Sequence, residues 1–206
     1  ERFTAIQCSD FNLLNRWQHG EDIEPVLVQR QALQFNLLRV WTRYDIPNIG
    51  TFRDIDYSRI PDFLRACASH KLYVEFTAYC SGSRGDHWER LGEAVQGQTN
   101  VLVELINEAD AYSHDIRVRE FQPIAGVLCS HGSNGSEHEP IKPFWDYTTF
   151  HTNGSYEEQR KVSHNAMEIW SGPTLTNETS RCPEVGMWMN ASIARVQQLA
   201  FDAAAG

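Results

Sequence analysis

Residues 101–110 read VLVELINEAD, and the fold of the chain turns on them. Val101, Leu102, Val103, Leu105 and Ile106 make a nearly unbroken apolar run, as a parallel strand covered on both faces requires, and the polar Asn107-Glu108-Ala109-Asp110 begins where such a strand would end. Glu108 therefore falls at the carboxyl end of a strand, the end at which α/β folds gather their chemistry. A second stretch, GPTLTNETSR at residues 172–181, repeats the arrangement: a short apolar run leads into Asn177-Glu178. A single Asn-Glu pair could merely open a loop or cap a helix. Two such pairs, about seventy residues apart, are how two carboxylates are mounted on two strand ends of one barrel.

Outward from these stretches the chain alternates strand-like and helix-like segments. Residues 3–8 (FTAIQC) read as a first strand followed by a polar loop, and residues 25–34 (PVLVQRQALQ) as a helix opened by its Pro. Residues 36–41 (NLLRVW) give a second strand; residues 56–70 give a helix with Ile60, Phe63, Leu64 and Cys67 on one face. Residues 71–79 (KLYVEFTAY) form a third strand, residues 88–95 a helix and residues 100–106 the fourth strand. In the second half, helices are expected near residues 116–122, 156–170 and 191–205, and strands at 124–129, 144–151 and 173–176. Repeated β-α units point to a parallel sheet. The count reaches seven strands, whereas an eight-stranded (β/α) barrel takes roughly 250 residues. The expectation is an α/β fold, a TIM-type (β/α)8 barrel truncated before strand eight, with residues 1–206 in one domain.

Composition narrows the function classes. With 206 residues, 41% hydrophobic and 11% aromatic, the chain can bury a sizeable core. A net charge of −9 without any Lys/Arg cluster argues against a nucleic-acid surface. No apolar stretch approaches the length of a membrane span. Cys8, Cys67, Cys80, Cys129 and Cys182 are odd in number, widely spaced and without a CxxC, so buried thiols are expected rather than a disulfide framework or zinc site. Neither metal nor cofactor is expected. The segment from His131 to His138, with Glu139 beyond it, holds paired histidines, but its Gly/Ser-rich composition reads more readily as an active-site loop.

Arg39 in NLLRVW on strand two, a helix ending in His70 before LYVEF, LVELINE on strand four and a carboxylate after strand seven together resemble the glycoside hydrolases of clan A, the cellulase-like (β/α)8 barrels. The likeness runs over nearly the whole chain, and Asn107-Glu108 is its most specific part. It implies that Glu108 is the acid/base, that Asn107 binds the sugar hydroxyl beside the scissile bond, and that Glu178 is the nucleophile, with Arg39 next to it. Strand three ends in Thr77-Ala78-Tyr79, where many members carry a His. Glu75 and Glu184 are the competing carboxylates. Trp41 and Trp145 near strand ends, together with Tyr79, are candidates to contact sugar rings, and His151 to hydrogen-bond the nucleophile or the sugar.

The chemistry accounts for these residue types. Glycoside hydrolysis needs one carboxyl group to protonate the leaving oxygen and a second to attack the anomeric carbon from the other side, at a separation of roughly 5 to 5.5 Å in retaining enzymes. The resemblance thus implies a retaining enzyme acting on a β-linked oligosaccharide or polysaccharide. Two other readings remain open in the sequence: a catalytically silent, carbohydrate-binding or structural barrel, and a metal-assisted hydrolase using His131, His138 and Glu139.

Overall fold

The computed structural model describes residues 5–46, 50–80, 85–107, 118–132, 145–151 and 173–178. Its centre is a parallel sheet of five strands in the order β1 (Gln7–Ser9), β2 (Leu37–Trp41), β5 (Tyr73–Tyr79), β6 (Val101–Ile106) and β7 (Leu128–Ser130). Two further parallel strands, β8 (Thr148–His151) and β9 (Thr174–Glu178), pair with each other. Between β2 and β5 the chain makes a short antiparallel hairpin, β3 (Tyr44–Ile46) with β4 (Gly50–Phe52). Among the described residues, the strands of the five-stranded sheet succeed one another in chain order, followed by the β8–β9 pair. Cys129 O accepts from Asp146 N at 3.0 Å, and Ser130 Oγ lies 3.3 Å from Thr149 Oγ1, so β7 is tied to the β8 strand. At the other side β9 runs beside β1, with Cα atoms within 8 Å.

Each strand alternates between two chemistries. Leu38, Val40, Val74, Phe76, Ala78, Val103, Leu105 and Cys129 are fully buried and belong to the continuous apolar core. Helix α3 (Ile60–Ser69) covers part of that face, because Ile60, Phe63, Leu64 and Cys67 recur at helical spacing and are all buried. Pro61 starts it and the Phe63 ring stacks on Phe76 with centroids 6.1 Å apart. Asn100 fastens the helix to its strand by donating from Nδ2 to Leu64 O and Leu72 O at 2.9 and 3.2 Å. Helix α4 (His87–Val95) buries Trp88, Leu91 and Val95 in the same way, and α2 (Glu24–Ala32) buries Leu27. The intervening strand positions, Arg39, Glu75, Thr77, Glu104 and Ser130, are equally buried but polar.

Several elements depart from the sequence expectation. The segment after β1, read as a polar loop, contains helix α1 (Leu13–Gln18), anchored by fully buried Leu13 and Leu14. The β3–β4 hairpin has no counterpart in the strand reading. Strand five is Leu128–Ser130, strand six Thr148–His151 and strand seven Thr174–Glu178, all starting later than the apolar runs suggested; of residues 116–122, the described part holds a single 3-10 turn at Val118–Glu120. The helices expected at 156–170 and 191–205 lie outside the described residues. Cys67, Cys80 and Cys129 are buried, and burial pushes the Cys67 and Cys129 thiols up to about 12.

Candidate active site

The polar side chains of alternate strand positions meet in one network beneath the carboxyl ends of the strands. Register makes them neighbours: Arg39 on β2 is level with Glu75 on β5, Thr77 on β5 with Glu104 on β6, and Glu104 with Ser130 on β7. Arg39 lies over Glu104, donating to Oε2 from Nη2 at 2.6 Å and from Nε at 3.2 Å. Thr77 Oγ1 accepts from Arg39 Nε at 3.1 Å and donates to the same Glu104 oxygen at 2.7 Å. The other oxygen, Oε1, accepts from Thr149 Oγ1 on β8 at 2.7 Å. Glu104 thus links β2, β5 and β8 through one carboxylate.

Asn107 follows directly on β6. Its backbone N donates to Tyr79 O at 2.8 Å, extending the β5–β6 ladder by one rung, and its Oδ1 accepts from Arg39 Nη2 at 2.7 Å. With Oδ1 bound to a guanidinium, the amide orientation is determined by chemistry, since an Arg nitrogen can only donate. The Asn107 Nδ2 contact among the described residues is Cys80 Sγ at 3.8 Å, a weak acceptor. Gly132, with φ +116°, closes this end of the strand. A Cβ there would stand 2.0 Å from Ile106 O, an approach that only glycine permits.

A second carboxylate lies deeper. Glu75 accepts from Tyr147 Oη at 2.9 Å and from Gln7 Nε2 at 2.5 Å, and its Oε2 is 3.9 Å from Arg39 Nε. Complete burial pushes its carboxyl up to about 7, with the nearby Glu104 charge adding to the shift and Arg39 opposing it. Glu104 moves the other way. Its burial also disfavours charge, but the Arg39 charge and the hydrogen bonds from Arg39, Thr149 and Thr77 outweigh that and hold its pKa below the usual carboxylate value. One guanidinium between two buried carboxylates therefore favours the ionised form of Glu104 and the protonated form of Glu75.

The other expected residues are placed as follows. Glu108 and Glu184 lie outside the described residues, as do His138 and Glu139. Glu178 is the last residue of β9 and stands opposite His151, the last residue of β8, after a register shift between Phe150 and His151, so the two strand ends lie side by side. Arg39 is fully buried and reaches Asn107 rather than solvent. Glu75, weighed as a rival nucleophile, sits four residues before the end of β5, about 13 Å down the strand, and is a buried structural group. Trp41 is 4% exposed and stacks on Phe11 at 4.2 Å; Tyr79 is fully buried against His87 and Phe121. Both rings pack in the core in place of the sugar-facing position the sequence suggested. Trp145 precedes β8 and is half-buried beside Trp88, centroids 5.7 Å apart. His131 is buried with Nδ1 3.0 Å from Gly132 O, and no group of three or more metal-ligating side chains occurs among the described residues.

The sequence reading passed over Glu104 and Thr149. The signal for Glu104 was present: it is the one charged residue inside VLVELI, at a position where the alternation faces it away from the apolar core. It also missed His87, which sits beside the strand ends with Nδ1 2.6 Å from Tyr57 Oη and Nε2 3.0 Å from Thr42 Oγ1.

No protein-family model and no curated protein matches the chain. Solved structures do, and the likeness is one of fold. The endo-1,4-beta-mannanase of Eisenia fetida aligns with 93% of this chain and 89% of its own, at 12% identity and a TM-score of 0.52. A hyperthermostable endo-1,4-beta-D-mannanase from Thermotoga petrophila covers 98% and 86% at 15% identity and a TM-score of 0.52. The catalytic domain of an endoglucanase from Thermobifida fusca covers 99% and 75% at 12% identity and a TM-score of 0.56.

Proposed function

We propose that this chain is a retaining glycoside hydrolase that cleaves a β-1,4-linked polysaccharide or oligosaccharide, with Glu108 as acid/base and Glu178 as nucleophile. The observation that carries the reading is the 2.7 Å bond from Arg39 to Asn107 at the carboxyl end of β6. It holds a polar amide, oriented and largely dry, immediately before Glu108. The mannanases and endoglucanase that share the fold supply the substrate class. In this reading the five-stranded sheet and the β8–β9 pair belong to a (β/α)8 barrel. Glu108 protonates the glycosidic oxygen while Glu178 attacks the anomeric carbon; the leaving sugar departs with the proton. Water, deprotonated by the now anionic Glu108, then releases the glycosyl group from Glu178, so the anomeric configuration is retained after two inversions.

The test is hydrolysis of aryl β-mannosides, aryl β-cellobiosides and soluble mannan by the wild type, Glu108→Gln and Glu178→Gln. Each substitution is expected to lower kcat by about 10²- to 10⁴-fold, and NMR of the first-formed sugar should show the β anomer. Undiminished turnover in either variant, or an inverted product, would remove the two-glutamate mechanism. Sugar binding without hydrolysis by the wild type would favour the silent carbohydrate-binding barrel.

A further inference from the structure

We propose that Glu104 is a positioning residue for the hydrolysis: through Arg39 it fixes which face of the Asn107 amide is presented to the substrate. The proposal rests on the function proposed above and extends it to a side chain that touches no substrate. Arg39 Nη2 carries two hydrogens, and two acceptors receive them, Glu104 Oε2 at 2.6 Å and Asn107 Oδ1 at 2.7 Å. The guanidinium plane is set by Glu104, which takes a second bond from Nε on the same oxygen, so the remaining Nη2 hydrogen is aimed at Asn107. Asn107 must then turn its Nδ2 donors away from Arg39. The substrate group that meets Asn107 is accordingly an acceptor, such as the oxygen of a sugar hydroxyl.

Glu104 is itself braced from two sides. Thr77 on β5 donates to Oε2 and Thr149 on β8 to Oε1, both at 2.7 Å. Thr149 is level with Leu175 on β9, the strand that ends at Glu178. The carboxylate therefore joins the strand bearing Asn107 to the strand pair bearing the proposed nucleophile. Without the Glu104 charge, the other carboxylate paired with Arg39 among the described residues is Glu75, 3.9 Å from Nε and further from the carboxyl end of its strand. Arg39 would be drawn down the sheet and Asn107 left free to turn over.

The experiment compares wild type, Glu104→Gln and Thr149→Val on two substrates, an aryl β-glycoside and its analogue lacking the hydroxyl adjacent to the anomeric carbon. Thr149→Val removes the hydroxyl that braces Glu104, along with its 3.3 Å contact to Ser130 Oγ, and serves where Glu104→Gln folds poorly. On the parent glycoside Glu104→Gln is expected to lower kcat/KM by about ten- to a hundredfold, the scale of a displaced positioning contact. On the deoxy analogue, where the contact is already missing, the loss should shrink severalfold, with Thr149→Val giving the same pattern more weakly. Equal losses on both substrates overturn the proposal and make Glu104 purely structural. The Asn107 side-chain amide resonances give an independent reading that needs no turnover. Two sharp proton signals in the wild type that broaden or shift in Glu104→Gln support the proposal; identical signals overturn it. A wild type that hydrolyses no glycoside would sink the proposed function alone, and the amide signals would still decide the coupling of Glu104 to Asn107.

Discussion

Glu75→Gln should flatten the pH dependence of folding stability in the window between about pH 4.5 and 7. Glu75 is fully buried, and its carboxyl is raised from 4.5 to about 7 by burial first and by the Glu104 charge second. An acid whose folded-state pKa lies above its unfolded value binds more protons when folded, so stability falls as pH rises from the lower value through the higher one. The gap corresponds to about 3 kcal/mol at 1.36 kcal/mol per pH unit, of which about 2 to 3 kcal/mol falls between pH 5 and 8. Gln has nearly the same shape and no proton to lose. Its Oε1 can keep the bond from Tyr147, and its new NH2 can meet Gln7 Oε1, a buried oxygen without a partner among the described residues, once the Gln7 amide turns over. The same turned amide accepts the proton of neutral Glu75, so Gln7 serves either state. Urea unfolding of both proteins at pH 5 and pH 8 measures the effect. The wild type should lose about 2 to 3 kcal/mol more than Glu75→Gln over that interval. Parallel losses would refute the argument, since they would mean Glu75 is ionised throughout and Arg39 serves both carboxylates equally.

Two further outcomes follow from the same strand ends. Gly132→Ala puts a methyl group 2.0 Å from Ile106 O at φ +116°, so it should destabilise the fold by about 2 to 4 kcal/mol and loosen the end of β6, read as a lower Tm and as faster amide exchange at Asn107. His87 is lowered from 6.5 to about 4, chiefly by burial, with the Arg43 and Arg90 charges assisting and the bond to Ala78 O opposing. A base whose folded pKa is depressed contributes stability above its unfolded pKa and loses it as pH falls from about 6.5 towards 4. Its ring proton resonances should therefore stay at their neutral positions down to about pH 5; a midpoint near 6.5 would contradict the burial argument.

Legibility of the sequence tracked how much of each segment's pattern is local. VLVELI and NLLRVW read correctly as strands because both faces of a covered parallel strand are buried, and that leaves an apolar run visible without any partner. The helix around Ile60 was readable because its apolar face recurs at 3.6-residue spacing. Helix α1 was not, since six residues make too few turns for a period to emerge and Asn12, Asn15 and Arg16 dominate the segment. The β3–β4 hairpin consists of three-residue strands stabilised by cross-strand pairs such as Asp45 with Thr51, a contact that no periodicity announces. Within the site, Asn107 was legible from its place after an apolar run. Trp41 looked exposed because it ends a strand, whereas the loop carrying Phe11 folds back over it, a long-range event that sequence position does not encode.

The interior polar layer is best understood as a functional demand set against packing. Barrel interiors are ordinarily filled by branched apolar side chains in layers, and a buried ion pair is commonly matched or exceeded in stability by apolar residues of the same volume. Here one face of three neighbouring strands of the sheet carries Arg39, Glu75, Thr77 and Glu104, all fully buried, and the two carboxylates share a single guanidinium. That arrangement raises the pKa of one buried acid, Glu75, a poor choice if stability were the only requirement. What the layer provides is a rigid donor at a defined height: Arg39 cannot retract without uncovering Glu104, and Glu104 cannot turn without losing Thr77 and Thr149. Asn107, the last described residue before Glu108, is the group that benefits, and its orientation is the property through which a wholly buried network can act on chemistry at the strand ends.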